Sequence, residues 1–316
     1  MEVNPIHSLI IEYNTDFPNK IYFCLIDNFK DLMGIFINIS CERIGRNFFE
    51  LLRYIKKADI DIGLRVTKIT ECCAKKLKEI GIRAIMFNVN NISEKKRETS
   101  TTFTDSILQN VEKNIKICQK YKIPVEITTI LTKKNIGEIE KLIEFCLNRE
   151  VVNLIIQRPV ILATTSYGYE YLDPITYRKF LTFLLQKMNE VDGKMLIVLS
   201  HFPHKILLAR EIGKETYYSK IAKYGGCSAG LISCAITKDG NVVPCLPLRE
   251  VIAGNIIGEN FKDIWENSPV FKLLRNRENL KGKCGKCKYK NLCGGCRAEA
   301  YYAFGDLLEE DPTCWL

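Results

Sequence analysis

No uncharged apolar run in the 316 residues approaches the ~18 that a membrane helix requires, so a bilayer-spanning chain is not expected. The first residues, Met1-Glu2-Val3-Asn4-Pro5, lack the basic and apolar stretches of a secretory signal, and a cytoplasmic protein is expected. Short solenoid-type repeats are also missing. With 47% hydrophobic and 26% charged residues, the composition excludes intrinsic disorder and a collagen-like chain. What the sequence has in quantity is cysteine, 14 in all. Disulfides are not expected in the cytosol, so those thiols call for another explanation. The 46 Lys+Arg exceed the 37 Asp+Glu and leave a formal charge of +9. That charge admits nucleic acid, an anionic partner or solubility alone.

The cysteines divide the chain. Cys24, Cys41, Cys72, Cys73, Cys118 and Cys146 are scattered through the first part, whereas Cys227, Cys234, Cys245, Cys284, Cys287, Cys293, Cys296 and Cys314 crowd the last. The expected organisation is one domain over 1–205, a connection over 206–226 and a cysteine-dense domain over 227–316.

The first part alternates strand and helix signals. Short β-rich runs fall at Leu9–Glu12, Phe36–Ser40, Leu64–Ile69, Ala84–Val89, Val125–Leu131, Val152–Gln157 and Met195–Ser200. They are almost wholly apolar, as strands covered on both faces should be. Between them Ile107, Val111, Ile115 and Cys118 step at helical spacing, as do Ile136, Ile139, Ile143, Cys146 and Leu147. Asp173-Pro174 fits the cap and first turn of a helix reaching about Met188. The alternation predicts βα units and a parallel sheet, open or partly closed into a barrel.

On those helix faces Cys118 and Cys146 read as small hydrophobes. Cys72 and Cys73 open a helix and, being adjacent, are poorly placed to share one metal, so both read as structural. His201-x2-His204 has the spacing of a metal pair but no local carboxylate or Cys partner, and the structural reading is preferred.

The cysteine-dense part carries Cys227-x6-Cys234-x10-Cys245, then Cys284-x2-Cys287-x5-Cys293-x2-Cys296, then Cys314. Asp239-Gly240 between β-rich runs predicts a hairpin that delivers Cys245 at the end of its second strand. A C-x2-C knuckle turns two thiolates toward one metal centre, and eight thiols suffice for two Cys₄ sites. Zinc and iron–sulfur clusters both use such sets. Zinc-ribbon knuckles usually stand ~15–20 residues apart. Here only five residues separate Cys287 from Cys293, which favours [4Fe–4S] clusters.

The surrounding residues extend this reading. Cys293-Gly294-Gly295-Cys296-Arg297-Ala298-Glu299-Ala300-Tyr301, then Gly305-Asp306 and Glu310-Asp311-Pro312-Thr313-Cys314, closely resemble the end of a SPASM domain. So do Gly226-Cys227-Ser228-Ala229-Gly230, Asp239-Gly240-Asn241-Val242-Val243-Pro244-Cys245, Gly254-Asn255-Ile256 and Ile264-Trp265 upstream. SPASM domains are the C-terminal auxiliary-cluster modules of many radical S-adenosylmethionine (SAM) enzymes. The C-G-G-C-R form is most similar to the haem d1 and alternative haem biosynthesis subgroup. The resemblance implies one auxiliary cluster on Cys227, Cys234, Cys245 and Cys296, and a second on Cys284, Cys287, Cys293 and Cys314. Cys234 is the weakest member, since its spacing to Cys227 varies among relatives and fits a packed thiol as well. The implied fold is α/β: a partial parallel (β/α) barrel of radical SAM type, followed by a small irregular α+β iron–sulfur domain.

The same resemblance exposes a loss. After a first strand such as Ser8–Glu12, the family carries C-x3-C-x2-C, whose three thiolates hold the SAM-binding cluster. Counted from Glu12, those places hold Phe17, Ile21 and Cys24, and one thiolate cannot hold a [4Fe–4S] cluster. The family's Gly-Gly-Glu strand end falls at Ser40-Cys41-Glu42, and the turn after the third strand is shortened, with Val66–Thr70 running almost directly into Cys72. SAM is therefore not expected as a cofactor, while two [4Fe–4S] clusters are.

The leading expectation is an accessory, electron-transfer or substrate-presenting subunit. Its partner would be a catalytically competent radical SAM enzyme or an acidic electron carrier, in cofactor, tetrapyrrole or peptide modification. Two alternatives remain open: an active radical SAM enzyme with a remodelled cradle, and a structural zinc-binding interaction protein. Arg275, Arg277, Lys281, Lys283, Lys286, Lys288, Lys290 and Arg297 suit either a docking face or compensation of cluster charge. Two clusters at about −2 each lower the formal +9 to roughly +5. No base-stacking motif is present, so nucleic acid is not expected. The loop Thr164–Tyr171 reads as a polar linker or a lining of the barrel mouth.

Overall fold

A computed structural model describes residues 5–28, 32–39, 44–90, 104–160, 172–205 and 226–316. The loop Thr164–Tyr171, the stretch around Cys41 and most of the 206–226 connection lie outside the described residues.

Seven parallel strands follow the apolar runs: β1 (Ser8–Glu12), β2 (Gly34–Asn38), β3 (Asp61–Arg65), β4 (Ala84–Asn88), β5 (Val125–Ile130), β6 (Asn153–Gln157) and β7 (Leu196–Ser200), paired in chain order. The third strand lies a few residues earlier than the sequence suggests. Val66 and Ile69 are buried in the loop that follows it, and their burial mimics a strand signal.

Among the described residues, six helices alternate with these strands: α1 (Asn19–Asp27), α2 (Arg46–Lys57), α3 (Glu71–Ile80), α4 (Thr104–Lys120), α5 (Ile139–Leu147) and α6 (Pro174–Glu190). In α2, Phe48, Leu51, Leu52 and Ile55 recur at helical spacing and are almost fully buried. Each such side chain contributes roughly 1.5–3 kcal/mol of burial free energy. Asp173 caps α6 by accepting the Ile175 and Thr176 amides at 3.1 and 3.0 Å, with Pro174 in the first turn. Cys118 and Cys146 are wholly buried in the core, and burial pushes both thiols up to about 12.

The cysteine-dense part extends the same sheet. β8 (Ser233–Ile236) pairs in parallel with β1, and the hairpin partner β9 (Asn241–Val243) and short β10 (Gly254–Asn255) continue outward. Gly240 takes φ +79° at the expected Asp-Gly turn, a conformation that glycine adopts without strain. Short helices at Phe261–Asn267, Pro269–Arg275, Gly282–Lys286, Lys290–Cys293 and Arg297–Phe304 complete this part. The architecture is an open α/β partial barrel followed by a small irregular cluster domain, as expected.

Candidate iron–sulfur site

The C-terminal thiols gather in two places. Cys284, Cys287, Cys293 and Cys314 wall a cavity of about 270 Å³, together with His204, Lys283, Lys286, Lys290 and the backbone at Gly294-Gly295. Cys245 lies within electrostatic reach of Cys227 and Cys296, forming a second group. The Cys227 amide donates to the Cys293 carbonyl at 2.9 Å and ties the groups together.

Local backbone chemistry explains the spacing. Gly294 and Gly295 take φ +67° and +58°, so the chain between Cys293 and Cys296 reverses and sends the two thiols into different groups. A Cβ on Gly295 would stand 3.1 Å from the Cys284 sulfur and 2.6 Å from the Arg297 guanidinium. At Gly226 a Cβ would fall 1.8 Å from the Cys293 carbonyl oxygen, an overlap relieved only by moving backbone. Gly226→Ala is therefore expected to separate Cys227 from Cys293. Iron in the anaerobically purified protein should fall by about half or more, one cluster of two, as read by iron and acid-labile sulfide analysis.

The donor set suits clusters. Burial pushes the Cys293 and Cys296 thiols up to about 12 and Cys245 well above its ordinary value. Their thiolate forms therefore require a metal's charge. Cys284 sulfur accepts the Asp311 amide at 3.4 Å and the Arg297 guanidinium at 3.7 Å, and Cys287 sulfur accepts the Tyr289 amide at 3.4 Å. Such bonds stabilise charge on cluster sulfur. Among the described residues no three His, Cys, Asp or Glu side chains converge closely enough to hold a single ion.

Cys234 stands apart. It sits in the centre of β8 opposite Leu9, 2% exposed, inside the main hydrophobic core, with Arg275 as its charged neighbour. The structure does not bring it to Cys227, Cys245 and Cys296.

Sequence reasoning missed the polar network that joins barrel to cluster domain. Arg158, just beyond β6, approaches Asp311 at 3.7 Å and Glu299 at 3.8 Å, and its Nη1 donates to Thr313. His204 Nε2 lies 3.4 Å from Asp311, whose carboxylate also accepts the Cys296 amide at 2.7 Å. Asp311 falls within the Glu310-Asp311-Pro312-Thr313-Cys314 motif and Arg158 just after the Val152–Gln157 run, but nothing in the sequence pairs them. The run of basic residues divides in the same way. Arg275, Arg277 and Arg297 point inward and donate to backbone carbonyls, with Arg277 reaching Cys227 and Asn291. Lys283, Lys286 and Lys290 line the cavity walled by Cys284, Cys287, Cys293 and Cys314.

Phe17, Ile21 and Cys24, the residues counted from Glu12 as the cradle, lie on and just before α1. Phe17 and Ile21 pack against the main core, and Phe17 lies 6.4 Å from Tyr22, which contacts Tyr13 at 5.3 Å. Tyr13 in turn meets Phe48 at 4.9 Å. Cys24 is exposed on α1. One thiol with aromatic neighbours does not fit a three-thiolate cradle.

Behind the cradle, each of the seven parallel strands contributes to a second cavity of about 420 Å³, with Ile10, Phe36, Arg65, Met86, Ile130, Ile155 and Val198 among its lining. Arg158, His201, Cys245, Leu246 and Pro247 close it from the cluster-domain side.

An open βα barrel whose mouth is shut by a cysteine-rich domain defines a class of iron–sulfur protein. The profile of the SPASM iron–sulfur cluster-binding domain matches residues 227–288. The AdoMet-dependent heme synthase of Methanosarcina barkeri is 33% identical over 285 residues, covering 84% of this chain and 77% of that protein. A PqqA peptide cyclase of Methylorubrum extorquens is 24% identical over 248 residues, covering 76% and 60%. SuiB of Streptococcus suis bound to its precursor peptide SuiA shares the fold at TM-score 0.76 and 16% identity, over 99% of this chain and 76% of its own. Native anSMEcpe with bound AdoMet and a peptide does so at TM-score 0.67 and 21% identity, over 98% and 94%. The chain belongs to the radical SAM/SPASM family.

Proposed function

We propose that this chain carries two [4Fe–4S] clusters in residues 227–316 and serves a catalytically competent radical SAM enzyme as an accessory subunit. It would transfer electrons or present substrate in cofactor, tetrapyrrole or peptide modification. Cys284, Cys287, Cys293 and Cys314 would hold one cluster, and Cys227, Cys245 and Cys296 the core of the other. The clusters would supply one-electron chemistry. Around them, Arg277 and Arg297 offset negative charge, and Lys283, Lys286 and Lys290 offer a positive rim to an acidic partner.

The observation that carries the accessory reading is the packing of Phe17 and Ile21 where the family places thiolates. Structures of this fold hold AdoMet, so the case against SAM here rests on those residues and not on the fold. Zinc is disfavoured by spacing, since zinc-ribbon knuckles usually stand ~15–20 residues apart and only five residues separate Cys287 from Cys293.

A second reading is an active enzyme with a remodelled cradle, favoured by the 33% identity to a protein named as an AdoMet-dependent synthase. One experiment separates the three. Anaerobically purified protein is expected to hold about eight irons and matching sulfide per chain, and to release no 5′-deoxyadenosine or methionine when given dithionite and SAM. Catalytic 5′-deoxyadenosine would establish the enzyme instead. Two zincs without sulfide would establish the zinc protein.

A further inference from the structure

We propose that Asp311 is a positioning residue shared by both clusters and that its buried charge holds both of their reduction potentials down. The inference rests on the two-cluster reading and goes beyond it by naming the group that sets the pair up as electron donors.

Hydrogen bonds place Asp311 between the two thiol groups. Its Oδ2 accepts the amide of Cys296, which belongs with Cys227 and Cys245, at 2.7 Å. Its own amide donates to the Cys284 sulfur, in the other group, at 3.4 Å. Its carbonyl accepts the amide of Cys314, also in that other group, at 3.2 Å. Oδ1 takes the Thr313 amide and hydroxyl at 2.9 and 2.6 Å, which fixes the carboxylate in this turn. Packing is close here as well, since a Cβ on Gly295 would stand 3.0 Å from the Asp311 Cβ. One residue thus touches thiol-bearing residues of both groups, and its complete burial keeps bulk water from screening it.

The charge of Asp311 reaches both groups too. Burial raises the Cys293, Cys296 and Cys314 thiols, and Asp311 pushes each of them further in the same direction. A carboxylate that opposes charge on these sulfurs also opposes an added electron, because a cluster's potential follows the net charge and hydrogen bonding around it. Glu299, the other buried acid at this junction, pushes on Cys296 but is not among the groups that dominate at Cys293 or Cys314. Arg297 acts in the opposite sense by donating to the Cys284 sulfur at 3.7 Å. In that balance Asp311 supplies the negative charge common to both clusters. Clusters held at low potential give electrons to an acceptor more readily than they keep them.

The test is an EPR-monitored redox titration of the full-length protein, purified without oxygen and first analysed for iron and sulfide. Cys287→Ser, which alters a ligand of one cluster only, assigns the two signals. In Asp311→Asn both midpoints are expected to rise by ~59 mV, a tenfold higher ratio of reduced to oxidised cluster at a fixed potential. Asp311→Glu, which keeps the charge, should stay within about twofold of the wild-type ratio. Asp311→Ser, whose hydroxyl can still accept the Thr313 amide, replaces the asparagine variant if that one loads less iron. Glu299→Gln is expected to move the cluster on Cys296 alone. Unchanged midpoints, a shift in one cluster only, or an Asp311→Glu shift as large as that of asparagine would overturn the assignment. So would a Glu299→Gln variant that moves both clusters equally, since the potentials would then follow total buried charge and not the place of Asp311. Wild-type protein without sulfide overturns the two-cluster reading itself, and analysis before titration keeps that failure separate.

Discussion

Replacing Arg158 with methionine is expected to destabilise the protein by roughly 3–5 kcal/mol, the cost of stripping one partner from a buried ion network. Arg158 is 6% exposed, and both Asp311 and Glu299 are fully buried. Its guanidinium lies between those carboxylates at 3.7 and 3.8 Å and 5.5 Å over the Tyr177 ring. Burial alone would raise the Asp311 carboxyl. Arg158 and His204 instead hold it well below the usual carboxylate range. Without the cation Asp311 would either stay charged at high cost or take up a proton. In the second case it would weaken its acceptance of the Cys296 amide, so iron retention should fall along with stability. Urea denaturation at neutral pH measures the loss. Arg158→Met combined with Asp311→Asn should recover part of it, because removing both charges relieves the burial that removing one creates. Arg158→Lys should not restore the wild type, since an ammonium cannot serve Thr313, Asp311 and Glu299 from one planar group. A loss below about 1 kcal/mol, the range of exposed pairs, would mean that water reaches the network.

The contrast between what the sequence disclosed and what it hid follows from the range of each interaction. The seven parallel strands were legible because a strand covered on both faces must be apolar along its length, a constraint written locally. The Asp239-Gly240 hairpin and the Asp173 cap were legible for the same reason, since turn and cap chemistry are satisfied within a few residues. The convergence of Cys284, Cys287, Cys293 and Cys314 was legible in spacing for three of them, and through resemblance for the fourth. The facing direction of Cys234 was not. It depends on the pairing of β8 with a strand more than two hundred residues earlier, and no spacing among cysteines encodes that register. Arg158, His204 and Asp311 were hidden likewise, because the sheet and the C-terminal turn meet only after folding. The basic run in the cluster domain left two readings open, a docking face and compensation of cluster charge, and burial divides it between them. Arg277 and Arg297 are buried against carbonyls, while Lys281, Lys286 and Lys288 are exposed.

Acidification from pH 6.5 to 5 is expected to destabilise the protein by about 2 kcal/mol through His204, at about 1.4 kcal/mol per pH unit. His204 is 1% exposed, with Tyr177 and Trp315 rings at 5.7 and 5.1 Å. Burial lowers its pKa to about 4, outweighing the pull of Asp311, and Arg158, Lys283 and Arg297 push in the same direction as burial. The unfolded chain takes up this proton near pH 6.5 while the folded protein refuses it until about 4. Stability contributed by neutral His204 is thus intact above pH 6.5 and is lost as the pH falls toward 4. Asp311 acts below that window: its carboxyl is depressed, so its contribution holds above the usual carboxylate pKa and erodes only as acid approaches the folded value. His201, which lines the barrel cavity, is also lowered to about 4 by burial and contributes to the slope with the same sign. Denaturant titrations at pH 7.5, 6.5, 5.8 and 5, all chosen with steps of roughly one unit or less, give the slope directly. His204→Gln keeps a donor toward Asp311 without the titration and should remove at least half of that slope. An unchanged slope in this variant would move the acid sensitivity away from the barrel–cluster junction and onto other groups.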